Sequence, residues 1–179
     1  MIYYPLSTLM LAGIREILII SSLEAQKSFQ TLLGNGDHLG LTISYAEQEQ
    51  PNGIAEAFII GEQFIGPDPC ALILGDNVFH GHGLSKLLIE SAQLKSGACI
   101  FTNWVADPER SGVANFDNKG NIIDLTEKPQ KPVSNWAVVG IYFFDNNVSS
   151  IARSISPSAR GELEILDVIQ YYLNNKTLK

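Results

Sequence analysis

The stretch CALILGDNVFHGHG, residues 70–83, combines a run of core-type residues with an abrupt polar end. Residues 70–74 are apolar and too few for a helix, a pattern typical of a short strand buried on both faces. The run stops at Gly75, and Asp76 and Asn77 follow at once. Because open α/β sheets bind ligands at the carboxyl ends of their strands, the stretch predicts an α/β fold with a polar site at a strand end.

Short apolar runs like this one alternate with helical patterns along the first half of the chain, at 16–21, 41–46 and 97–105. Strands that alternate with single helices predict right-handed crossovers and a largely parallel sheet. In the second half, two short strands flank a turn at 117–120, and we expect a further strand at 136–145 and a last helix at 162–175. Asp145 is expected to cap the helix that follows it.

These patterns predict one α/β domain over residues 1–179. Its core is a Rossmann-like, mainly parallel sheet flanked by helices, as in nucleotide-binding proteins, with a small added β region. A complete domain of this kind usually carries a Gly-rich or basic phosphate loop after its first strand, and the sequence has none.

The charge balance restricts the choice of partners. Twelve basic and nineteen acidic residues give a net charge of −7, which argues against nonspecific binding to nucleic acid or to an anionic membrane. No apolar run approaches the roughly 20 residues that span a bilayer, and a secretory signal pattern is missing at the N-terminus. We therefore expect small-molecule partners and, by default, a cytoplasmic location. Cys70 and Cys99 lie in apolar runs and are expected to be buried thiols.

Asp76 and Asn77 are the first candidates for a functional site. A carboxylate at a strand end is a hard oxygen ligand suited to Mg²⁺, which proteins typically hold with one or two carboxylates plus substrate phosphates and water. Asn77 can add a hydrogen bond to the same substrate. The alternative is that the two residues form an Asx turn or cap the next helix.

Two further loops carry polar groups suited to a nucleotide sugar. In residues 45–57, the Gln48 amide suits a base edge, and Gly53 permits a close backbone approach to the ring. In residues 124–129, the Glu127 carboxylate suits sugar hydroxyls and the Lys128 ammonium suits a phosphate. The alternatives are an ordinary loop between strand and helix in the first case and a solvated charge pair in the second.

Other charged residues give weaker signals. His80 and His82 are two residues apart in a glycine loop, but no further Cys or His lies nearby, so a metal site there is disfavoured. Arg160, Glu162 and Glu164 lie at the start of the last helix. Favourable electrostatics at a helix start explain the two acids about as well as substrate contact does.

Taken together, the chain resembles the sugar-1-phosphate nucleotidylyltransferases. The resemblance covers nearly the whole chain, with the family's motifs in the family's order and spacing. The segments that carry it are IYYPLSTLMLAGIREILII, YAEQEQPNGIAEAF, LILGDNVFHGHGL, DPERSGVANFD, EKPQKPVSNWAVVGIYFFD and SARGELEILDV.

The resemblance implies a Rossmann-like α/β sheet with an added β region for the sugar. Within the family, the chain is most similar to enzymes that use dTTP and glucose 1-phosphate, with Mg²⁺, and form dTDP-glucose and pyrophosphate. An oxygen of the sugar phosphate attacks the α-phosphorus of the nucleotide in line. Positioning and charge neutralisation, rather than a protein nucleophile, drive such a reaction. The resemblance also implies a homo-oligomer.

The resemblance assigns a role to each candidate residue. The implied nucleotide-binding residues are Gln48 and Gly53, which contact the thymine, and Asp76, which holds Mg²⁺. The implied sugar-binding residues are Asn77, Gly112, Glu127 and Val138, and Lys128 faces the sugar phosphate. Asp76 and Lys128 are the expected catalytic residues.

Some family features differ or are missing. Asn52 stands where the family usually has Asp, and Ser111 where it usually has Tyr. The family's N-terminal strand, its Gly-rich triphosphate loop and a later Mg²⁺-binding aspartate have no counterpart here. We therefore expect a truncated domain that is inactive alone. The alternatives are a relative that uses UTP or another sugar phosphate, and a noncatalytic module for nucleotide-sugar binding or subunit interaction.

Overall fold

The computed structural model describes residues 1–179, and its elements follow the order expected from the sequence. Between β2 and β3, the helical segment is divided at Gly61 into two short helices. No helix in the structure has the length and apolarity needed to cross a membrane. The helices are α1 (Tyr3–Leu11), α2 (Leu23–Leu33), α3 (Glu56–Ile60), α4 (Glu62–Ile65), α5 (Leu84–Ala92), α6 (Val148–Ser154) and α7 (Ile165–Asn174). The strands are β1 (Glu16–Ser21), β2 (Thr42–Glu47), β3 (Cys70–Ile73), β4 (Ala98–Trp104), β5 (Gly112–Phe116), β6 (Ile122–Glu127) and β7 (Trp136–Phe144).

The seven strands form two separate sheets. Strands β1 and β2 pair in parallel as a two-stranded sheet. In the five-stranded sheet, β7 pairs with β4 along one edge and with β3 and β5 along the other, and β6 lies outside β5. The predicted α/β class, with flanking helices and an added β region, is confirmed. All pairs of the five-stranded sheet are antiparallel, because β7 lies between β3 and β4, which run in the same direction but do not pair with each other. Among the seven strands, parallel pairing is found only between β1 and β2.

The added β region is the hairpin of β5 and β6, as the turn residues predict. The Asp117 carboxylate accepts hydrogen bonds from the backbone N–H groups of Lys119 and Asn121, each at 2.8 Å. Gly120 has φ +82, a conformation that favours glycine. The hydrogen bonds from Asn121 and the loop amides lower the pKa of Asp117.

Apolar side chains bury the contacts between sheets and helices. The largest core cluster joins the five-stranded sheet to α3, α6 and α7, and Phe144 at its centre packs edge to face on Phe58 with ring centroids 5.2 Å apart. A second cluster joins the β1–β2 sheet to α1 and α2. Cys70 and Cys99 are unpaired and half-buried, and burial raises the pKa of the Cys70 thiol to about 12.

Asp145, immediately after β7, is a buried carboxylate that links three parts of the fold. It accepts hydrogen bonds from the N–H of Gly97 at 2.7 Å, the N–H of Asn147 at 3.0 Å and the Tyr172 hydroxyl at 2.8 Å. Only the bond from Asn147, the residue just before α6, corresponds to the predicted capping of the next helix. The other two bonds tie Asp145 to the start of β4 and to α7.

Replacing Tyr172 by Phe should lower the free energy of unfolding by about 2 kcal/mol, since it removes a hydrogen bond to a buried charge and leaves part of the Asp145 carboxylate unpaired. Burial and the Asp145 contact raise the pKa of Tyr172. The stabilisation should therefore be complete below about pH 10, the pKa of an unfolded tyrosine, and should be lost as the pH rises above it. Urea denaturation at a series of pH values measures both effects.

Tyr171→Phe is the matched control, because Tyr171 is the exposed neighbour on the same helix. Its stability should stay within about 0.5 kcal/mol of the parent chain. Equal losses in the two variants would mean that the Asp145 bond contributes nothing specific.

Candidate functional site

Gln48 lies one residue beyond β2 in a loop held by its own side chains. The Gln48 amide nitrogen Nε2 donates to Glu56 Oε2 at 2.7 Å and to the Gly53 carbonyl at 3.3 Å. Asn52 Nδ2 donates to the other carboxylate oxygen of Glu56 at 2.9 Å. Glu56, in the first turn of α3, thus fixes both side chains. The Gln48 oxygen Oε1 accepts none of the chain's hydrogen bonds and is available to a ligand donor.

The same loop is closed against the segment that precedes α7. Leu163 donates its N–H to the Asn52 carbonyl at 2.6 Å and accepts from the Ala55 N–H at 3.1 Å. Gly53 sits between these bonds with φ +110, and a Cβ there would lie 2.5 Å from the Leu163 nitrogen. The close approach that Gly53 permits is therefore to the Leu163 backbone, and the expected contact with a base stays a prediction.

Three of the predicted sugar residues lie in a row across the added β region. Glu127 of β6 is directly opposite Gly112 of β5. The pairing of Val113 with Ala137 then places Val138 of β7 next to Gly112 on its other side. Opposite residues of antiparallel strands share a face, so Glu127, Gly112 and Val138 lie on the same face of the sheet.

Gly112 is needed because α7 packs on this face. A Cβ at Gly112 would lie 2.5 Å from a terminal carbon of Leu166, a residue of α7. Val138 belongs to the same core cluster as Leu166, whereas Glu127 is half-buried at the open end of the row.

Asn77 approaches the same strand from the turn after β3. Its Nδ2 donates to Asp76 Oδ1 at 2.7 Å, and its Oδ1 lies 2.7 Å from the position that a Cβ of Gly140 would occupy. Gly140 is two residues beyond Val138 and so lies on the same face of β7. Gly140 was not predicted from the sequence, although a glycine inside a strand is a known sign of close approach by another group.

Asp76 is exposed, and its carboxylate accepts only the Asn77 side-chain bond. The alternative of helix capping is not observed, because α5 begins at Leu84 with Gly83 at its N-cap position. No group of three His, Cys, Asp or Glu side chains is close enough to hold a metal ion, and this applies to His80 and His82 as well. Asp76 fits a Mg²⁺ ion that takes its other ligands from substrate phosphates and water.

Lys128 follows Glu127 in a backbone conformation unusual for a residue with a side chain. Its φ is +40, and its N–H donates to the Ser111 carbonyl at 3.1 Å. Such a conformation costs on the order of 1–3 kcal/mol and tends to occur where function fixes the side-chain direction. The Lys128 ammonium lies 3.6 Å from Glu127 Oε1 and is about half exposed.

Arg160 brings a second positive charge to Glu127. Its Nη2 lies 3.6 Å from Glu127 Oε1 and 3.3 Å from Glu162 Oε2, and it donates to both oxygens of Glu164 at 2.8 and 2.9 Å. We call residues 158–164 the entry segment. From the sequence, its charges are explained equally well by the start of α7 and by substrate contact. In the structure, the entry segment contacts both the Gln48 loop and Glu127.

The surroundings of Glu127 and Glu164 shift the pKa values of their carboxyl groups in opposite directions. Burial, followed by repulsion from Glu164, raises the pKa of Glu127 despite the nearby cations. Burial also acts to raise the pKa of Glu164, but hydrogen bonds from Ser158 and Arg160 outweigh it, and the net effect is a lowered pKa. Glu164 is therefore a structural anion that holds Arg160, while Glu127 keeps the weaker ion pairs and is the acid more open to a ligand.

The fold and this cluster define a class of protein. The family model for nucleotidyl transferases matches residues 1–179, and the chain belongs to that family. It is 54% identical, over 174 residues, to the glucose-1-phosphate thymidylyltransferase of Xanthomonas campestris pv. campestris strain B100, covering 97% of this chain and 59% of that relative. It is 51% identical, over 178 residues, to the glucose-1-phosphate thymidylyltransferase of Neisseria meningitidis serogroup A, covering 99% of this chain and 62% of that relative. The chain thus spans about 60% of the length of these curated relatives.

Solved structures agree with this assignment. A Bacillus anthracis protein described as a glucose-1-phosphate thymidylyltransferase, in complex with a sucrose, superposes with a TM-score of 0.90 at 39% identity, covering 99% of this chain and 72% of that one. A UDP-glucose pyrophosphorylase complexed with UDP-glucose superposes with a TM-score of 0.75 at 23% identity, covering 94% of this chain and 72% of that one. The second likeness supports the fold alone.

Replacing Gly53 by Ala should disrupt the contact between the Gln48 loop and the entry segment. The new Cβ would overlap the Leu163 backbone at a φ that alanine rarely adopts, so we expect a loss of more than about 2 kcal/mol in the free energy of unfolding. Amide hydrogen exchange at Leu163 and Ala55 should also become faster than in the parent chain.

Gly81→Ala is the matched control, because a Cβ at Gly81 meets open space and its φ is not in the left-handed region. It should change the stability by no more than about 0.5 kcal/mol. Unchanged protection of Leu163 in Gly53→Ala would contradict the proposed closure of the loop.

Proposed function

We propose that this chain forms the base- and sugar-binding part of an enzyme that transfers a deoxythymidylyl group from dTTP to glucose 1-phosphate. The products are dTDP-glucose and pyrophosphate. An oxygen of the sugar phosphate forms the new bond to the α-phosphorus of dTTP, and the bond from that phosphorus to the β-phosphate bridging oxygen breaks. The leaving group departs as pyrophosphate.

The observation that carries the proposal is the row of Glu127, Gly112 and Val138 with Lys128 at its end. The Glu127 carboxylate and the Lys128 ammonium suit the hydroxyls and the phosphate of a sugar phosphate, and Val138, buried in the same cluster as Leu166, supports the row from the core. Identities above 50% with thymidylyltransferases across this region support the same assignment. Asn77, next to Gly140 on the same strand, is the further sugar contact we propose.

Each side chain then has a role in positioning the reactants. Gln48 Oε1 accepts from the thymine N3–H, while Glu56 holds the Gln48 amide nitrogen in place. Lys128, with Arg160 beside Glu127, neutralises charge on the sugar phosphate and directs its oxygen toward the α-phosphorus. No side chain of the cluster is required to form a covalent bond, consistent with a reaction driven by positioning.

We infer that Mg²⁺ is the cofactor and that Asp76 is the protein ligand supplied by this chain. Bound Mg²⁺ neutralises phosphate charge and helps to align the phosphates. The exposed Asp76 carboxylate, with its oxygen Oδ2 free of hydrogen bonds, suits this role. We also propose that the protein works in the cytoplasm as a homo-oligomer.

Replacing Gln48 by Ala should weaken dTDP-glucose binding about 5- to 20-fold, the loss expected for one hydrogen bond to the base, and leave glucose 1-phosphate binding nearly unchanged. Isothermal titration of the 179-residue chain with dTDP-glucose, UDP-glucose and glucose 1-phosphate measures this. Gln63→Ala, an exposed glutamine of α4, is the control. Tighter binding of UDP-glucose would favour a UTP-using relative instead, and release of pyrophosphate from dTTP, Mg²⁺ and glucose 1-phosphate tests turnover directly.

Replacing Asp76 by Asn should abolish most of the effect of Mg²⁺ on dTTP binding, because it removes the charged ligand while keeping the side-chain shape. Titrations of dTTP with and without Mg²⁺ give the ratio of the two affinities for each variant. Asp107→Asn, an exposed aspartate before a turn, should keep the parent ratio. An unaltered ratio in Asp76→Asn would remove Asp76 from the metal site.

A further inference from the structure

The first turn of α3 carries a carboxylate that binds two side-chain amides of the Gln48 loop. Glu56 Oε2 accepts from Gln48 Nε2 at 2.7 Å, and Glu56 Oε1 accepts from Asn52 Nδ2 at 2.9 Å. Each carboxylate oxygen therefore has its own amide partner. Glu56 and Gln48 are half-buried, whereas Asn52 is exposed.

The core holds the backbone of Glu56 in place. Its neighbour Ala55 is buried and donates its N–H to the Leu163 carbonyl at 3.1 Å. Phe58, also buried, packs edge to face on Phe144. Glu56 lies between these two anchored residues, so its carboxylate stays close to its amide partners.

The carboxylate determines which way the Gln48 amide points. An ionised carboxylate only accepts hydrogen bonds, and the same is true of a backbone carbonyl. The Gln48 amide meets one of each, Glu56 Oε2 at 2.7 Å and the Gly53 carbonyl at 3.3 Å. The nitrogen Nε2 must therefore face these two acceptors, and the oxygen Oε1 must face away. A reversed amide would place Oε1 against both acceptors and lose both bonds.

Asn52 is suited to the second oxygen of Glu56 for the same reason. Its side chain is neutral and offers N–H groups to the carboxylate. Asp, the usual residue of the family at position 52, would bring a second carboxylate within hydrogen-bond distance of the first, and like charges so close repel each other. The difference from the family at position 52 is therefore matched to Glu56.

We propose that Glu56, together with Asn52, is a positioning residue that makes the site select thymine and uracil over cytosine. This role rests on the proposed function, in which Gln48 contacts the base. Thymine and uracil carry a hydrogen on N3 and can donate it to Gln48 Oε1. The N3 atom of cytosine has a lone pair instead and would face Oε1 acceptor to acceptor. Glu56 thus sets the choice of base through the orientation of Gln48.

A role of Glu56 in loop stability alone predicts a different result. If Glu56 only closed the loop, its loss would weaken the binding of every pyrimidine nucleotide by the same factor. Control of the amide orientation instead changes the ratio of two affinities. The nucleotides dUDP and dCDP are the matched probes, because their bases differ only at N3 and at the substituent on C4.

The test is isothermal titration of the 179-residue chain with dUDP and with dCDP. The parent chain should bind dUDP about tenfold or more tightly than dCDP. Glu56→Ala should lower this ratio about threefold or more, because it removes the shorter of the two bonds that orient Gln48. Glu49→Ala is the matched control, since it removes an exposed carboxylate of the same loop, and it should keep the parent ratio.

A double variant, Asn52→Asp with Glu56→Gln, exchanges the two groups and should rescue the selectivity. The new carboxylate at position 52 accepts from the new amide at position 56, and the oxygen of that amide accepts from Gln48 Nε2. The orientation of Gln48 is then preserved. The ratio of the two affinities should lie within about twofold of the parent value.

The side-chain amide of Gln48 gives a readout that needs no ligand. In NMR spectra, the hydrogens on Gln48 Nε2 should exchange with solvent faster in Glu56→Ala than in the parent chain or in Glu49→Ala, because a hydrogen bond is lost.

The outcomes separate this role from the proposed function. If the parent chain prefers dUDP but Glu56→Ala keeps the ratio, or the double variant loses it, Glu56 does not set the choice of base, and the proposed function stands. If the parent chain binds neither nucleotide, or both equally, the proposed contact of Gln48 with the base is wrong, and base selection by Glu56 is wrong with it.

Discussion

Two backbone hydrogen bonds at Leu163 are the contact on which the candidate site depends. They close the Asn52–Ala55 part of the Gln48 loop onto the entry segment, and the same segment carries Arg160 and Glu164 to Glu127. The Gln48 loop and the row of Glu127, Gly112 and Val138 are otherwise on different elements. Their relative position is thus set by a short irregular segment before α7, and the requirement for glycine at position 53 follows from how tightly that segment packs.

Local sequence patterns predicted the elements well, because each depends on neighbouring residues. The apolar runs became β1 to β4 within a residue or two, and the turn at 117–120 formed the expected hairpin. The central place of β7 could not be predicted in this way. It depends on pairing with strands far away in sequence, and the same is true of the bonds that draw Asp145 toward Gly97 and Tyr172 rather than toward α6 alone.

The candidate site was likewise predictable from local sequence only in part. Glu127 and Lys128 were visible as a charged pair at a strand end, and the resemblance to the family added Gly112 and Val138. Only the strand register shows that these residues share a face. Gly140 and the role of Arg160 lay outside the predictions, since a strand glycine and a charge before a helix each have common structural explanations. Those explanations are not exclusive: Arg160 both precedes α7 and contacts Glu127.

The central place of β7 also affects how the chain folds during synthesis. Strand β3 is made about 60 residues before its partner β7 begins, so at about 5–20 residues per second it waits for several seconds. During that interval, the apolar segment 70–74 lacks β7, the strand that later pairs with it, and the β5–β6 hairpin can form by itself but cannot dock. Such long-range pairing slows folding and exposes intermediates to aggregation. The period of greatest risk for this chain therefore lies on the ribosome, and demand for chaperones should depend on how fast residues 74–144 are translated.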